Sequence, residues 1–116
     1  MAQLTFTIEN QIIKRTDNFL VVALSRNYLY AEFAFLTPDW NGMERNVIFR
    51  RDETYQVITL DETGVCLVPH ELLREPGIVS VSVYGTNRSR ITTNQANFNV
   101  YESGYAKKDK QKGTNE

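Results

Sequence analysis

Apolar and polar residues alternate along several short segments of this chain, a pattern typical of β-strands with one buried face. The clearest cases are residues 4–8 (LTFTI) and residues 78–84 (IVSVSVY). Other β-rich runs, each bounded by Asn, Asp, Gly or Pro, recur at the spacing of about 8–12 residues that characterises sandwiches. The pattern predicts an all-β fold, an immunoglobulin-like antiparallel β-sandwich of about eight strands.

Two segments carry more specific expectations. Residues 19–24 (FLVVAL) are continuously apolar, which predicts a central strand buried on both faces. Residues 46–50 and 54–60 are two β-rich runs separated by a short polar stretch, and they predict a hairpin over residues 51–53.

Turn chemistry is concentrated in residues 37–42 (TPDWNG), where Pro fixes φ and Gly supplies a positive φ. Trp40 lies in this loop, and the sequence leaves two roles open for it. It either folds back as a plug over one end of the sandwich or stands exposed as an anchor for a partner. Residues 69–75 carry helix formers ahead of a second proline, and they predict one short helical turn with Pro69 at its first helical position.

The 116 residues suit one domain, residues 1–105, followed by a polar Lys-rich tail or linker start at residues 106–116. No run approaches the roughly 18 apolar residues of a membrane helix, and the first residues do not resemble a signal peptide. We therefore expect no membrane partner and synthesis in the cytosol.

The net charge and the few residues suited to catalysis argue against nucleic-acid binding and enzymatic activity. The formal net charge is −1, and Arg88 and Arg90 are too few and too isolated to predict a nucleic-acid site. Cys66 is the single cysteine and lies in an apolar run, which predicts a buried, inert thiol. His70, the single histidine, is not at a spacing known for a Cys–His dyad. No phosphate-binding or nucleophile motif is present, so we predict no enzymatic activity, no cofactor and no metal.

Two tyrosines, Tyr101 and Tyr105, flank the exit from the last predicted strand. Tyrosine is enriched at interfaces because it combines a large apolar area with a hydroxyl group. The sequence leaves open whether both rings pack on the edge of their own domain or contact a partner.

A series of segments in fixed order resembles a known family. The segments are residues 30–35, 39–43, 47–49, 61–69, 81–85, 90–94 and 101–105. Together they are similar to the N-terminal immunoglobulin-like domain of baseplate upper protein-like virion proteins of phages and prophages of Gram-positive hosts. The similarity covers residues from about 28 to 105, and none of its segments is specific when taken alone.

The resemblance implies a non-enzymatic virion structural protein, an anchoring or adaptor domain that attaches a fibre or baseplate component to the virion. It implies other virion proteins as partners, and a homo-oligomer such as a trimer or hexamer. In this family a stalk and a receptor-binding tip often follow the domain, whereas here the sequence stops after the Lys-rich tail, as expected of a truncated anchor or a stand-alone virion protein. We expect Trp40, Tyr101 and Tyr105 to be contact residues.

The sequence is also compatible with two alternative functions. A carbohydrate-binding β-sandwich module for host-surface recognition predicts exposed, coplanar aromatic rings at Trp40, Tyr28 and Tyr30. A small hydrolase is the third candidate, although no acid–base pair stands out.

Overall fold

The computed structural model describes residues 2–105. This part of the chain contains ten β-strands and two short 3₁₀ turns. The strands are β1 (Gln3–Glu9), β2 (Ile12–Arg15), β3 (Val21–Val22), β4 (Tyr30–Phe35), β5 (Glu44–Arg51), β6 (Thr54–Thr59), β7 (Val65–Leu67), β8 (Gly77–Thr86), β9 (Arg90–Thr92) and β10 (Ala96–Tyr101). The 3₁₀ turns cover Pro38–Trp40 and His70–Leu73. The predicted tail, residues 106–116, lies outside the described residues.

The strands form two sheets. The first has the order β2-β1-β4-β7, and the second has the order β3-β10-β8-β5-β6 with β9 added beside β8. The prediction of an all-β sandwich is confirmed. The ten strands exceed the expected eight partly because β3 and β9 are only two and three residues long.

Pairing within the sheets is mainly antiparallel, as expected, but β1 pairs with β4 and β3 with β10 in parallel. A parallel pair requires a crossover connection. Between β1 and β4 the chain crosses to the second sheet, where it forms β3. It then returns to the first sheet, so that β4 runs in the same direction as β1. Alternation along a strand does not report its direction, so the sequence could not reveal these two pairs.

The core lies between the sheets, where alternate side chains of both are buried. In β1 the buried residues are Leu4, Phe6 and Ile8, and the residues between them are half-buried. Phe6 stacks on Phe33 of β4 with ring centroids 5.1 Å apart. The second sheet contributes Val47, Phe49, Val79, Val81, Val83, Phe98 and Val100. Alternation in the sequence therefore did identify the inward face of these strands.

The expected central strand at residues 19–24 is wrong. Only Val21–Val22 is a strand, it lies at the edge of its sheet, and Leu20 is 59% exposed. The backbone of Phe19 is held by side chains instead of a ladder, because its N–H donates to the Asp17 carboxylate and its carbonyl accepts from Arg15. Leu24 then takes a positive φ of 77°, which ends the extended segment.

The remaining local predictions hold with small shifts. The hairpin of β5 and β6 is present, with Asp52 at φ 55° in its turn. The helical turn predicted near residues 69–75 is the 3₁₀ turn His70–Leu73, and Pro69 precedes it instead of starting it. Within residues 2–105 there is no helix of the length and apolarity needed to cross a membrane.

Candidate interaction surface

Trp40 is fully buried at one end of the sandwich. Its indole Nε1 donates a hydrogen bond of 2.9 Å to the carbonyl of Asn10, and its ring lies 5.2 Å from the ring of Phe35. The plug interpretation is confirmed. The expectation that the Trp40 side chain contacts a partner is wrong, because the ring has no surface left to offer.

Two residues that the sequence did not single out hold Trp40 in place. The guanidinium of Arg45 donates to the Trp40 carbonyl at 2.9 and 3.2 Å and lies 4.3 Å over the ring of Phe35. Gly85 leaves room for the indole: a Cβ at this position would lie 3.0 Å from the Trp40 ring and 2.9 Å from the sulfur of Met43. A glycine inside a strand is the usual signal for such a close approach.

Tyr101 and Tyr105 are placed differently from Trp40. Tyr101 ends β10 beside Val22 of β3 and is 47% exposed, and Tyr105 is 71% exposed. The N–H of Tyr105 donates to the hydroxyl of Ser103 at 2.9 Å, which fixes the backbone ahead of the ring. Both rings are open to solvent, so their role as contact residues stays a prediction.

An apolar groove of about 370 Å³ lies beside β3, close to Tyr101. Leu20, Val22 and Tyr28 line it and are themselves exposed, and Leu73 closes it from the 3₁₀ turn His70–Leu73. Tyr105 lines a neighbouring hollow with Leu24 and Arg26. We call five of the exposed apolar side chains at this end of the molecule the exit surface: Leu20, Val22, Tyr28, Tyr101 and Tyr105.

A network of hydrogen bonds around Asp17 fixes the backbone just before Leu20, the first residue of the exit surface. Arg15 and Asp17 form an ion pair of 2.7 Å, and the Asp17 carboxylate also accepts the N–H groups of Thr5 and Phe19 at 2.7 and 2.8 Å. Desolvation by itself would raise the pKa of Asp17, but the hydrogen bonds from Arg15, Thr5 and Phe19 and the charge of Arg15 outweigh it and lower that pKa. The ionised carboxylate thereby holds the chain that leads into Leu20.

The structure does not bring the three predicted contact residues together. Gly77, at the start of β8, pairs with Val100 next to Tyr101, whereas Gly85, near the end of β8, contacts Trp40. At the rise per residue of a β-strand, the two ends are roughly 27 Å apart. Leu20 and Val22 were missed because a continuous apolar run predicts burial and does not show which members face solvent.

Several exposed apolar side chains also lie on the outer face of the second sheet, among polar residues such as Ser80, Ser82 and Asn99. The strand registers place on this face Val22, Tyr101, Ile78, Tyr55 and Val57. These are five of the eleven large apolar side chains that are exposed within residues 2–105. Sandwich strands ordinarily alternate between apolar inner and polar outer positions, so a partly apolar outer face suits contact with another protein.

Groups suited to catalysis are not assembled in the described residues. Burial, with a smaller contribution from the charge of Asp61, raises the pKa of the Cys66 thiol to about 11. His70 is 3.4 Å from the Glu71 carboxylate, and no hydrogen bond joins it to Cys66 in residues 2–105. The same residues contain no cluster of three or more His, Cys, Asp or Glu side chains that could hold a metal ion.

The aromatic trio expected for a carbohydrate-binding module is not formed. Trp40 is in the core and Tyr30 is half-buried, so only Tyr28 is exposed. Comparison with known proteins gave no matching family model and no significant match to a curated protein.

Proposed function

We propose that this chain is a non-enzymatic structural protein of a bacteriophage virion, an immunoglobulin-like anchoring or adaptor domain that attaches a fibre or baseplate component. The family resemblance of the sequence suggests the virion, and the partners are other virion proteins together with further copies of the chain in a trimer or hexamer. The exit surface is the observation that carries the docking role, because two tyrosines and an apolar groove lie together on a rigid sandwich.

The architecture suits an anchor. The chain leaves the sandwich at Tyr101, beside the groove, so a segment that follows β10 departs from the same end that offers the contacts. Trp40 and Arg45 close the opposite end without offering the indole to solvent. Symmetric copies arranged around the exit surface would add several weak contacts into a stable assembly.

The oligomer is tested by light scattering on the full chain. We expect a trimer or hexamer that becomes a monomer when Leu20→Ser and Tyr101→Ser are combined, because both changes remove apolar contact area. Leu36→Ser is the matched control, since Leu36 is also 59% exposed but lies outside the exit surface. A monomer at every concentration, or dissociation by the control, contradicts assembly through this surface.

The virion role has a separate test. Phage particles purified from the organism that encodes the chain should contain it in a fixed ratio to the other structural proteins, measured by quantitative mass spectrometry. Its absence from intact particles contradicts the proposed function even if the oligomer is found. A glycan affinity that depends on Tyr28 would instead support the carbohydrate-binding alternative.

A further inference from the structure

Among residues 2–105, the edge strand β6 presents a row of backbone groups without a partner. The N–H of Leu60, just after β6, donates to the carbonyl of Arg45 at 2.8 Å, so Leu60 points toward β5. Residues of an antiparallel pair alternate between facing the partner and facing away. Tyr55, Val57 and Thr59 therefore direct their N–H and C=O groups away from β5, and no hydrogen bond to these groups is found in residues 2–105.

The other sheet edges in the described residues are protected. In β2 the N–H of Ile13 donates to the side-chain oxygen of Asn94 at 2.8 Å, and the Asn94 N–H donates to Gln11 at 3.1 Å. β7 has only three residues, and its Val65 N–H donates to the Thr63 hydroxyl at 3.3 Å. β3 has two residues and β9 has three, and the Gln11 side chain donates to the carbonyl of Thr92 in β9 at 3.0 Å. Proteins ordinarily shield edges by such covering, by shortness, or by Lys and Pro.

β6 uses none of these devices. It is six residues long, TYQVIT, with no proline and no charged side chain. On the outer face Tyr55 and Val57 are 54% and 44% exposed, and the Arg50 guanidinium lies 4.7 Å over the Tyr55 ring. On the inner side Gln56 donates to Glu71 at 3.2 Å, which ties the strand to the 3₁₀ turn His70–Leu73. The strand is thus held in place with its edge open.

The exposed charges at the two ends of β6 indicate the kind of occupant. The nearby arginines are engaged elsewhere, because Arg50 lies over the Tyr55 ring and Arg51 donates to the carbonyls of Leu72 and Glu75. Asp52 and Glu53 precede the strand, Asp61 and Glu62 follow it, and all four are exposed. None forms a salt bridge within residues 2–105. A second copy paired through β6 would set acidic turns against acidic turns in either strand direction. Basic residues at both ends of an added strand would instead be attracted to them.

We propose that the β6 edge is a docking strand for an extended segment of another polypeptide, with an uncharged stretch of about five residues flanked by lysine or arginine. The added strand pairs with the backbones of Tyr55, Val57 and Thr59. Its apolar side chains lie beside Tyr55 and Val57 on the outer face. This docking does not depend on the virion role or on the exit surface.

The test is a titration of the full ¹⁵N-labelled chain, followed by the backbone amide resonances. The probe is a nine-residue peptide of five alternating threonines and valines with two lysines at each end. We expect the amides of Tyr55, Val57 and Thr59 to shift most. A peptide with glutamates in place of the lysines should bind at least tenfold more weakly at low salt, and a peptide with a central proline should not bind.

Variants of the chain sharpen the test. Val57→Pro removes one outward N–H, which an edge strand tolerates, and should weaken the lysine-flanked peptide at least tenfold. If Val57→Pro disturbs the fold, Val57→Lys serves instead. It keeps the backbone N–H, and its positive charge should weaken binding by repelling the lysines of the same peptide. Ile78→Ser is the control, because it removes an exposed side chain on the same face but away from the edge.

Three results would overturn the proposal. The first is equal binding of the lysine-flanked and glutamate-flanked peptides. The second is a set of amide shifts that lies away from β6. The third is a concentration-dependent shift of the Tyr55, Val57 and Thr59 amides without peptide, which would assign the edge to a second copy.

Discussion

At the scale of single residues, Asp17 shows how one carboxylate can organise a loop. It accepts from a guanidinium and from two backbone N–H groups, at Thr5 and Phe19. An amide side chain cannot replace all of these interactions, because one of its two polar atoms is a donor.

We therefore expect Asp17→Asn to lower the free energy of unfolding by about 1–3 kcal/mol at pH 7. The pKa of Asp17 is lowered from its usual 3.8 in the folded protein, so its contribution is complete above about pH 4 and is lost as the pH falls through the folded-state pKa. Urea denaturation of both proteins from pH 7 to pH 2 should show the difference shrinking below pH 4. A difference that stays constant to pH 2 would contradict this account.

Gly85 gives a second test at this scale. A Cβ there meets the Trp40 ring and the Met43 sulfur at about 3 Å, closer than ordinary van der Waals contact. We expect Gly85→Ala to cost about 1–3 kcal/mol of stability by overpacking, measured by thermal or urea unfolding. Gly104→Ala is the control, because a Cβ at Gly104 meets nothing within 4 Å. Equal stability of the two variants would mean that the packing around Trp40 adjusts freely.

At the scale of elements, most strands could be predicted from alternation, and the segment at residues 19–24 could not. In an alternating run such as β8, the apolar positions are the ones that face the core, here Val79, Val81 and Val83. A continuous apolar run does not, so its faces are decided by neighbours distant in sequence. Here Asp17 and Arg15 hold the backbone of Phe19, and Leu20 is left exposed.

The same segment supplies a prediction about neighbouring residues. Val21 is buried against the core and Leu20 is in solvent, although both belong to one apolar run. At protein concentrations low enough for the chain to be a monomer, we expect Val21→Ala to lower the free energy of unfolding by about 2 kcal/mol. Under the same conditions, Leu20→Ala should change it by less than about 0.5 kcal/mol. Equal losses in the two variants, measured by urea unfolding, would mean that residues 19–24 form the doubly buried strand expected from the sequence.

At the scale of the whole molecule, the sandwich places its closed end, the exit surface and the β6 edge at three different positions. Trp40 closes one end, the exit surface occupies the other, and β6 lies along a side edge. The sequence singled out Tyr101 and Tyr105 as candidate contact residues because they flank a strand end, and both rings are exposed in the structure. It could not identify the β6 edge, because openness of a strand depends on which other segments reach it, as Asn94 reaches β2.

The position of β10 between β3 and β8 has a consequence for how the chain folds. β3 appears early in the chain, yet its only strand partner within residues 2–105 is β10, the last strand. During synthesis, Val21 and Val22 must therefore remain without their strand partner until Tyr101 has left the ribosome. Pairings between segments so far apart in sequence are slow to form. Until then this stretch is open to chaperones and to aggregation.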